Sequence, residues 1–411
     1  MGNCTSAPTA EEKVAVQVSK EIDKKLKAEQ ETSSTIVKLL LLGAGETGKS
    51  TILKQLKLIH GIGFSEDERR TFRSAITLNV MTCAKTLVKS MTALKIPFGF
   101  VPSSVPKPDR QESQSTSNIN MDGDGLGYRG ESKFKHDYIA LAAAADFESR
   151  TDYKIPDFAH LVESCDITFC FGGSDNTMPV EIYEAVLQTW KDSGIQYCFS
   201  RANEFQLLDS CAYFMADLPR ICDSAFVPTD QDILAARILT TRVAEIKFMV
   251  QDVQFVVYDL GGQRSERKKW VPYFDNVQAI IFLVAISSYD QVCFEDGSTN
   301  RMVESMTLFS SICNHPAFKK TSMLVFMNKI DLFKLKLETS PVQDHFPNFT
   351  GANTFENASE FFSRQFVSLN KCPEKKMYIH FTWATDTKQI TKVLATVNHI
   401  ILSSNLDQSG L

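Results

Sequence analysis

The chain has 411 residues, 43% hydrophobic and 23% charged, and its 49 acidic and 44 basic side chains leave a formal net charge of −5. About 150 residues per domain predicts two or three domains, and this composition excludes wholesale disorder, collagen-like or coiled-coil chains and a basic field for nucleic acid. Because the longest apolar stretch, residues 279–286, is too short for a bilayer and the first residues lack a signal-peptide pattern, we expect neither a transmembrane helix nor a secretory signal.

The first six residues, M-G-N-C-T-S, fit the pattern for N-myristoylation at Gly2. One myristoyl chain binds membranes only marginally, and Cys4 offers a second acylation site. We therefore predict lipid attachment at Gly2 and Cys4. Residues 11–31 are highly charged but carry a narrow apolar stripe at four-residue spacing, which indicates either a solvated helix or a helix that binds a partner.

Residues 36–42 form a continuous apolar run typical of a buried parallel strand, and a glycine loop and a helix-compatible segment, 52–60, follow. Helical patterns then dominate to about residue 218. Residues 102–132 interrupt them with a Ser-, Pro- and Gly-rich stretch that buries too little surface to fold and predicts a mobile loop.

Strand-like runs reappear only later, at residues 253–258, 279–285, 323–327 and 377–381. Helix-compatible stretches separate them, as βαβ units require. The sequence therefore predicts an α/β domain interrupted by an all-helical insertion. We place an N-terminal helix at 1–34, the α/β domain at 35–64 and 231–411, and the helical domain at 65–230.

Residues 43–50 read G-A-G-E-T-G-K-S and fit the phosphate-loop pattern between a predicted strand and a predicted helix. Backbone N–H groups of such a loop face phosphates, and glycine permits their close approach. We expect Lys49 to reach the β- and γ-phosphate oxygens and the Ser50 hydroxyl to ligate Mg²⁺. The loop alone does not distinguish ATPases, kinases and GTPases.

A second motif, D-L-G-G-Q at residues 259–263, follows another predicted strand. In a phosphate-loop protein, Asp259 would lie behind the metal and a glycine amide can sense the γ-phosphate. Gln263 could orient the attacking water.

The third motif, N-K-I-D, runs from Asn328 to Asp331 at the end of a further strand. A carboxylate there can accept hydrogen bonds from both guanine N1–H and N2–H₂, a donor pair that adenine lacks. After the other two motifs in this order, it indicates a guanine nucleotide.

Outside residues 102–177, the whole chain resembles the alpha subunits of heterotrimeric G proteins. The family's long signature appears as D-L-G-G-Q-R-S-E-R-K-K-W at 259–270, and its helical domain is matched by W-K-D-S-G-I-Q at 190–196. D-I-L-A-A-R at 232–237 matches the return to the GTPase core. The resemblance implies a Ras-like phosphate-loop GTPase domain with an inserted helical domain, acting as a GTP-hydrolysing switch between a seven-helix receptor and effectors.

The resemblance implies four catalytic residues. Arg237 matches an arginine finger supplied in cis, Thr240 a switch threonine that ligates Mg²⁺ together with Ser50, and Gln263 the residue that positions water, while Lys49 holds the phosphates. Glu46 matches a residue that can pair with Arg237. The resemblance implies these contacts to GTP or GDP: Gly43, Gly45, Glu46, Thr47, Gly48, Lys49, Ser50, Thr51, Asp209, Ser210, Leu234, Arg237, Thr240, Asp259, Gly262, Asn328, Lys329, Asp331 and, through its amide, Ala384.

The family's partners are a beta-gamma dimer, a G protein-coupled receptor at the C-terminus, effectors and GTPase-accelerating proteins. A lipid anchor implies the cytoplasmic face of the plasma membrane. The usual palmitoylated cysteine directly follows the glycine, whereas here Asn3 intervenes before Cys4.

The chain departs from the family at several positions. Arg242 replaces a switch glycine, which predicts weaker acceleration by GTPase-accelerating proteins. Ala235 replaces an arginine that lines the nucleotide, and Trp383 replaces a small cysteine beside the guanine loop, which predicts altered GDP release. Because of these departures, an alternative function remains: a scaffold that binds nucleotide with little turnover. A second alternative, an ATP-using phosphate-loop enzyme, is disfavoured by Asn328 and Asp331.

Overall fold

The computed structural model of the chain describes residues 36–61, 63–101, 155–166, 178–250 and 253–409. The predicted lipidation sites Gly2 and Cys4, the N-terminal helix and the low-complexity stretch at 102–132 lie outside these residues. The chain divides into two compact units, one formed by Met1–Phe64 with Leu239–Leu411 and the other by Ser65–Ile238.

The strands are β1 (Ile36–Leu42), β2 (Ala244–Val250), β3 (Val253–Asp259), β4 (Ala279–Ala285), β5 (Ser322–Asn328) and β6 (Met377–Thr382). The helices are α1 (Lys49–His60), α2 (Glu66–Leu94), α3 (Ile155–Ser164), α4 (Val180–Lys191), α5 (Ser193–Ser200), α6 (Cys211–Ala216), α7 (Leu218–Ile221), α8 (Asp230–Ala235), α9 (Arg301–Cys313), α10 (Ile330–Leu337), α11 (Val342–His345), α12 (Phe355–Ser368) and α13 (Thr387–Ser409). Short 3₁₀ helices cover Arg264–Lys269, Val271–Tyr273, Ile286–Ser288 and Pro316–Phe318. No helix in the described part of the chain is both long and apolar enough to cross a membrane.

The first unit is built on one sheet with the strand order β2-β3-β1-β4-β5-β6. All neighbouring pairs are parallel except β2 and β3, which are antiparallel. Every residue of β4 and β5 is buried, as expected for central parallel strands covered on both faces. The predicted α/β fold is confirmed, and each predicted strand is present.

Strand β2 is a strand that the sequence analysis missed. Its exposed residues alternate with partly buried residues and with buried Phe248, and the charged side chains of Glu245 and Lys247 interrupt its apolar pattern. An edge strand that is half exposed carries only a weak apolar signal, because it lacks the continuous apolar run that is typical of a buried strand.

Two apolar layers cover the sheet because alternate residues of each strand point to opposite faces. On one face, Leu39 and Leu41 belong to a core that includes Ile52 of α1 and Leu394 of α13. On the other face, Leu40 lies in a core shared with α9 and α12. The loops after β1 and β3 therefore start from a rigid platform.

The second unit is helical and is organised around the long helix α2. Ser65 caps this helix by accepting a hydrogen bond from the Glu68 amide, while the Glu68 side chain accepts one from the Ser65 amide. Val80 and Leu87 of α2 share a buried core with Trp190 and Phe214. Within the described residues this unit matches the predicted helical insertion in its secondary structure.

The boundary after the helical unit lies between Ile238 and Leu239, whereas the sequence predicts it between residues 230 and 231. The reason is the buried carboxylate of Asp232 on α8. It accepts hydrogen bonds of 2.8 Å from both terminal nitrogens of Arg220 and from the Tyr213 hydroxyl. These bonds hold α8 on the helical unit, so the chain leaves that unit only after α8.

Truncation of Phe362 tests the first unit's core. Its ring is fully buried on α12 and lies 5.2 Å from the ring of Phe346. We expect Phe362→Ala to destabilise the protein by about 3–5 kcal/mol, because it opens a cavity. Val367→Ala on the same helix is the control, because Val367 is 51% exposed. Thermal unfolding followed by circular dichroism measures both, and equal melting temperatures would contradict this packing.

Candidate functional site

The loop between β1 and α1 takes a shape that depends on its glycines. Gly43 has φ 142° and Gly48 has φ 99°, values that side chains rarely adopt. A Cβ atom on Gly43 would lie 2.3 Å from the Leu283 carbonyl oxygen, and one on Gly48 would lie 2.3 Å from Asn328 Nδ2. The loop therefore lies tightly against β4 and β5, and it delivers the chain to the N-terminus of α1.

Lys49, the first residue of α1, is 6% exposed. Its ammonium group donates hydrogen bonds to the carbonyl oxygens of Gly43 at 3.0 Å and Ala44 at 2.7 Å. Burial lowers the pKa of Lys49 to about 8, and the nearby carboxylate of Asp259 opposes that shift. Because the helix N-terminus adds further positive potential, the loop can bind an anion such as phosphate.

Three oxygen-bearing side chains meet beside this lysine. The Ser50 hydroxyl donates to Asp259 Oδ2 at 2.6 Å and lies 2.7 Å from the Thr240 hydroxyl oxygen. Asp259 is 1% exposed, and its Oδ1 has no hydrogen-bond partner among the residues that the structure describes. Burial raises the pKa of Asp259, while the Lys49 ammonium opposes the rise. An all-oxygen set with a buried carboxylate fits Mg²⁺.

The loop after β3 approaches the phosphate loop through Gly262 and the Thr240 segment through Gly261. A Cβ atom on Gly262 would lie 2.2 Å from Lys49 Nζ, and one on Gly261 would lie 2.8 Å from the Thr240 carbonyl oxygen. Gln263 Cγ would lie 3.7 Å from a Cβ on Gly45. The structure therefore brings the second motif against the first.

The segment that follows Gln263 is fixed by a network of ion pairs. Arg264 pairs with Asp296 at 2.7 Å and with Glu304 of α9 at 2.8 Å, and Arg267 pairs with Glu304 at 2.7 Å. The Trp270 indole donates to the Gly261 carbonyl oxygen at 2.8 Å. Sequence reasoning missed Asp296 and Glu304, because single acidic residues on a loop and a helix carry no local signal of a partner.

Arg301, at the start of α9, is a second residue that sequence reasoning missed. Its guanidinium donates to the Glu46 carboxylate at 3.0 Å and to the Gly45 carbonyl oxygen at 3.2 Å. Arg301 thereby holds the crest of the phosphate loop. Glu46 is also predicted to pair with Arg237, which belongs to the helical unit, and this pairing stays a prediction.

Asn328 joins the third motif to the phosphate loop. Its Nδ2 donates to the Thr47 carbonyl oxygen at 2.8 Å, and its Oδ1 accepts from the Thr382 hydroxyl and the Ala384 amide, each at 3.1 Å. Asp331 follows in the first turn of α10. Asn328 thus links the third motif to the phosphate loop. The N–H group of Ala384, which is predicted to contact guanine, donates to Asn328 in this structure.

The remaining predicted contacts surround these groups or belong to the helical unit. The Thr47 hydroxyl donates to the Ala44 carbonyl oxygen at 3.1 Å, and Thr51 lies in the first turn of α1. In the helical unit, exposed Asp209 and half-buried Ser210 precede α6, and Leu234 is buried on α8.

Comparison with known proteins finds a matching family model and relatives of similar sequence. A family model described as G-protein alpha subunit matches residues 16–401. The chain is 38% identical over 403 residues to a guanine nucleotide-binding protein subunit alpha of Emericella nidulans, covering 98% of each chain. It is 39% identical to the protein of the same name from Cochliobolus heterostrophus and 38% identical to a guanine nucleotide-binding protein alpha-1 subunit of Neurospora crassa, with the same coverage.

Replacement of Lys49 should change how stability depends on pH. The pKa of Lys49 falls from its usual 10.5 to about 8 in the folded chain, so between these values the unfolded chain binds more protons. The free energy of unfolding therefore rises with pH in this window. We expect the wild type to gain stability relative to Lys49→Met between about pH 8 and 10.5 in ligand-free buffer.

Melting temperatures across that range provide the measurement. Lys388→Met is the control, because it removes an exposed lysine on α13. If Lys49→Met and the wild type differ by the same amount at every pH, the buried ammonium is not destabilised as described.

Proposed function

The chain belongs to the G-protein alpha subunit family, and we propose that it binds guanine nucleotides and hydrolyses GTP to GDP and phosphate as a signalling switch. The observation that carries this proposal is the cluster of Lys49, Ser50, Asp259 and Thr240. It combines a buried cation with hydroxyl and carboxylate oxygens at the mouth of a phosphate loop. Such a cluster matches the needs of a nucleoside triphosphate and its metal ion.

Lys49 binds the β- and γ-phosphate oxygens in exchange for the loop carbonyls that it contacts in this structure. This exchange is favourable, because a buried ammonium gains more from an anionic partner than from neutral carbonyls. The hydroxyls of Ser50 and Thr240, backed by Asp259, would hold Mg²⁺, which neutralises charge on the phosphates when bound. The backbone amides from Gly45 to Ser50 surround the same oxygens.

Hydrolysis needs a positioned water and stabilisation of the charge that develops on the γ-phosphate. In this proposal, the Gln263 amide orients the water and Arg237 stabilises the transition state. The closeness of Gln263 to Gly45 supports the first role, because it keeps the glutamine beside the phosphate loop. The role of Arg237 rests on its family match.

Base selectivity is assigned to the third motif. The Asp331 carboxylate accepts from guanine N1–H and N2–H₂, and adenine offers no matching pair of donors. Asn328 supports this reading indirectly, because its hydrogen bonds to Thr47 and Ala384 hold the base loop against the phosphate loop. GTP should therefore be preferred strongly over ATP.

Partner binding is proposed to follow the state of the nucleotide. The γ-phosphate orders the segments at 237–242 and 261–270, and its loss releases them. The ion pairs of Arg264 and Arg267 with Glu304 give the second segment a defined docked state on α9. We propose a beta-gamma dimer, a receptor, effectors and GTPase-accelerating proteins as partners, with myristoylated Gly2 and acylated Cys4 anchoring the chain at the cytoplasmic face of the plasma membrane.

Single-turnover hydrolysis of preloaded GTP tests the enzymatic activity. We expect Arg237→Cys and Gln263→Leu each to slow hydrolysis by at least about 100-fold while GTPγS still binds, because these residues act mainly on the transition state. Excess ATP should not displace bound GTPγS. Binding without hydrolysis by the wild type would favour the nucleotide-binding scaffold, and displacement by ATP would contradict the assignment of Asp331.

Arg242→Gly tests the effect of the bulky residue in the switch segment. Arg242 is exposed, so its side chain adds charge and volume to the surface that an accelerating protein would approach. With an accelerating protein active on another family member, we expect Arg242→Gly to raise accelerated turnover by about tenfold or more, the effect of removing about 1.4 kcal/mol of hindrance. Lys247→Ala, at an exposed basic residue on β2, is the control. Unchanged accelerated turnover in Arg242→Gly would contradict this role.

A further inference from the structure

One side chain of the helical unit holds both main-chain polar groups of Arg237. Asn79, in the middle of α2, donates from Nδ2 to the Arg237 carbonyl oxygen at 3.0 Å. The Arg237 amide in turn donates to Asn79 Oδ1 at 2.6 Å. Asn79 is 5% exposed, so these bonds are largely shielded from water. A single buried amide therefore fixes the peptide groups on both sides of the Arg237 Cα atom.

The residues next to Arg237 show why these two hydrogen bonds, called the Asn79 clamp below, are important. Ala236 is buried in the helical core, and the Asp232 network holds α8 immediately before it. Beyond the clamp, Ile238 and Leu239 are 46% and 52% exposed. Asn79 therefore binds the backbone of Arg237 at the point where the segment passes from the buried helical core to exposed residues.

Asparagine is well suited to this task. Its amide supplies a donor group and an acceptor group in a fixed plane, and here these pair with the carbonyl oxygen and the N–H group of one residue. An apolar residue at position 79 would remove these partners from the two main-chain groups of Arg237 in a partly buried place. Aspartate would retain the acceptor and lose the donor.

We propose that Asn79 is a positioning residue for GTP hydrolysis, holding the backbone of Arg237 so that its guanidinium is presented to the transferring phosphoryl group. This inference rests on the proposed function and assigns a role to a residue of the helical unit that has no part in phosphate or guanine binding. A long, flexible arginine side chain depends on a fixed point of attachment, since a shift of about 1 Å at a reacting group can cost about 100-fold in rate.

The test compares Asn79→Leu with the wild type in single-turnover hydrolysis of preloaded GTP on the full chain. We expect about a 10- to 100-fold slower rate and unchanged GTPγS affinity, because the clamp acts on Arg237 and not on nucleotide binding. Thr77→Val is the matched control. Thr77 is equally buried on α2, and its hydroxyl donates to the Arg73 carbonyl oxygen of the same helix at 3.2 Å. Its rate should stay within about twofold of the wild type.

A double-mutant cycle separates positioning from a general structural role. In the Arg237→Cys background, Asn79→Leu should slow hydrolysis no further, because the group that it positions is already absent. A merely structural role would give the same fold reduction in both backgrounds and would overturn the inference. So would an unchanged rate for Asn79→Leu alone.

Asn79→Asp repeats the cycle if the leucine variant fails to bind GTPγS. It keeps the acceptor for the Arg237 amide and removes the donor to the carbonyl oxygen, so it is expected to slow hydrolysis in the same Arg237-dependent manner. The proposed function has its own outcome in this experiment. If Arg237→Cys hydrolyses GTP as fast as the wild type, the role of Arg237 fails and the inference fails with it. If only the Asn79 variants behave like the wild type, the proposed function stands.

Discussion

A buried pair of opposite charges, the Lys49 ammonium and the Asp259 carboxylate, is the constraint around which the first unit is arranged. Each charge is almost fully removed from water. Burial lowers the pKa of Lys49 and raises the pKa of Asp259, so it favours the neutral form of each group, and the opposite charge of the partner opposes both shifts. Such charges are costly to bury unless strong partners satisfy them. Ser50, Thr240 and the carbonyl oxygens of the loop satisfy part of this requirement, and an anionic ligand with a divalent cation would satisfy the rest.

The fold positions these charges by simple means. Strands β1 and β3 are parallel neighbours, so the loops after them leave the sheet at the same edge. The loops at Gly43, Gly48 and Gly262 then approach neighbouring atoms so closely that a Cβ atom at any of these positions would clash. Arg301 and Asn328 hold the phosphate loop from two sides through main-chain and side-chain contacts. The site is therefore rigid where it grips phosphate, while the arginine assigned to catalysis is held by the helical unit.

The parts of this structure that sequence could predict are those with a local chemical reason. Glycine spacing predicts the phosphate loop, and continuous apolar runs predict the buried strands. The edge strand β2 escaped prediction because half of its surface is exposed. The compact helical unit extends past residue 230, where the sequence predicts its end, because Arg220 and Tyr213 hold the buried carboxylate of Asp232 on that unit. Asn79, Arg301 and Glu304 were missed for the same reason: their partners are distant in sequence, and no local pattern marks a long-range hydrogen bond.

In the proposed function, the oxygen cluster around Asp259 completes its coordination with a cation that is bound together with the triphosphate. Linkage then requires that Mg²⁺ tighten GTPγS binding and that this effect depend on the carboxylate charge. The most direct measurement is a titration of GTPγS affinity with and without Mg²⁺ in the wild type and in Asp259→Asn. We expect a large effect of Mg²⁺ on GTPγS affinity in the wild type and the loss of most of that effect in Asp259→Asn. Affinity independent of Mg²⁺ in the wild type, or an equal effect in both proteins, would contradict it.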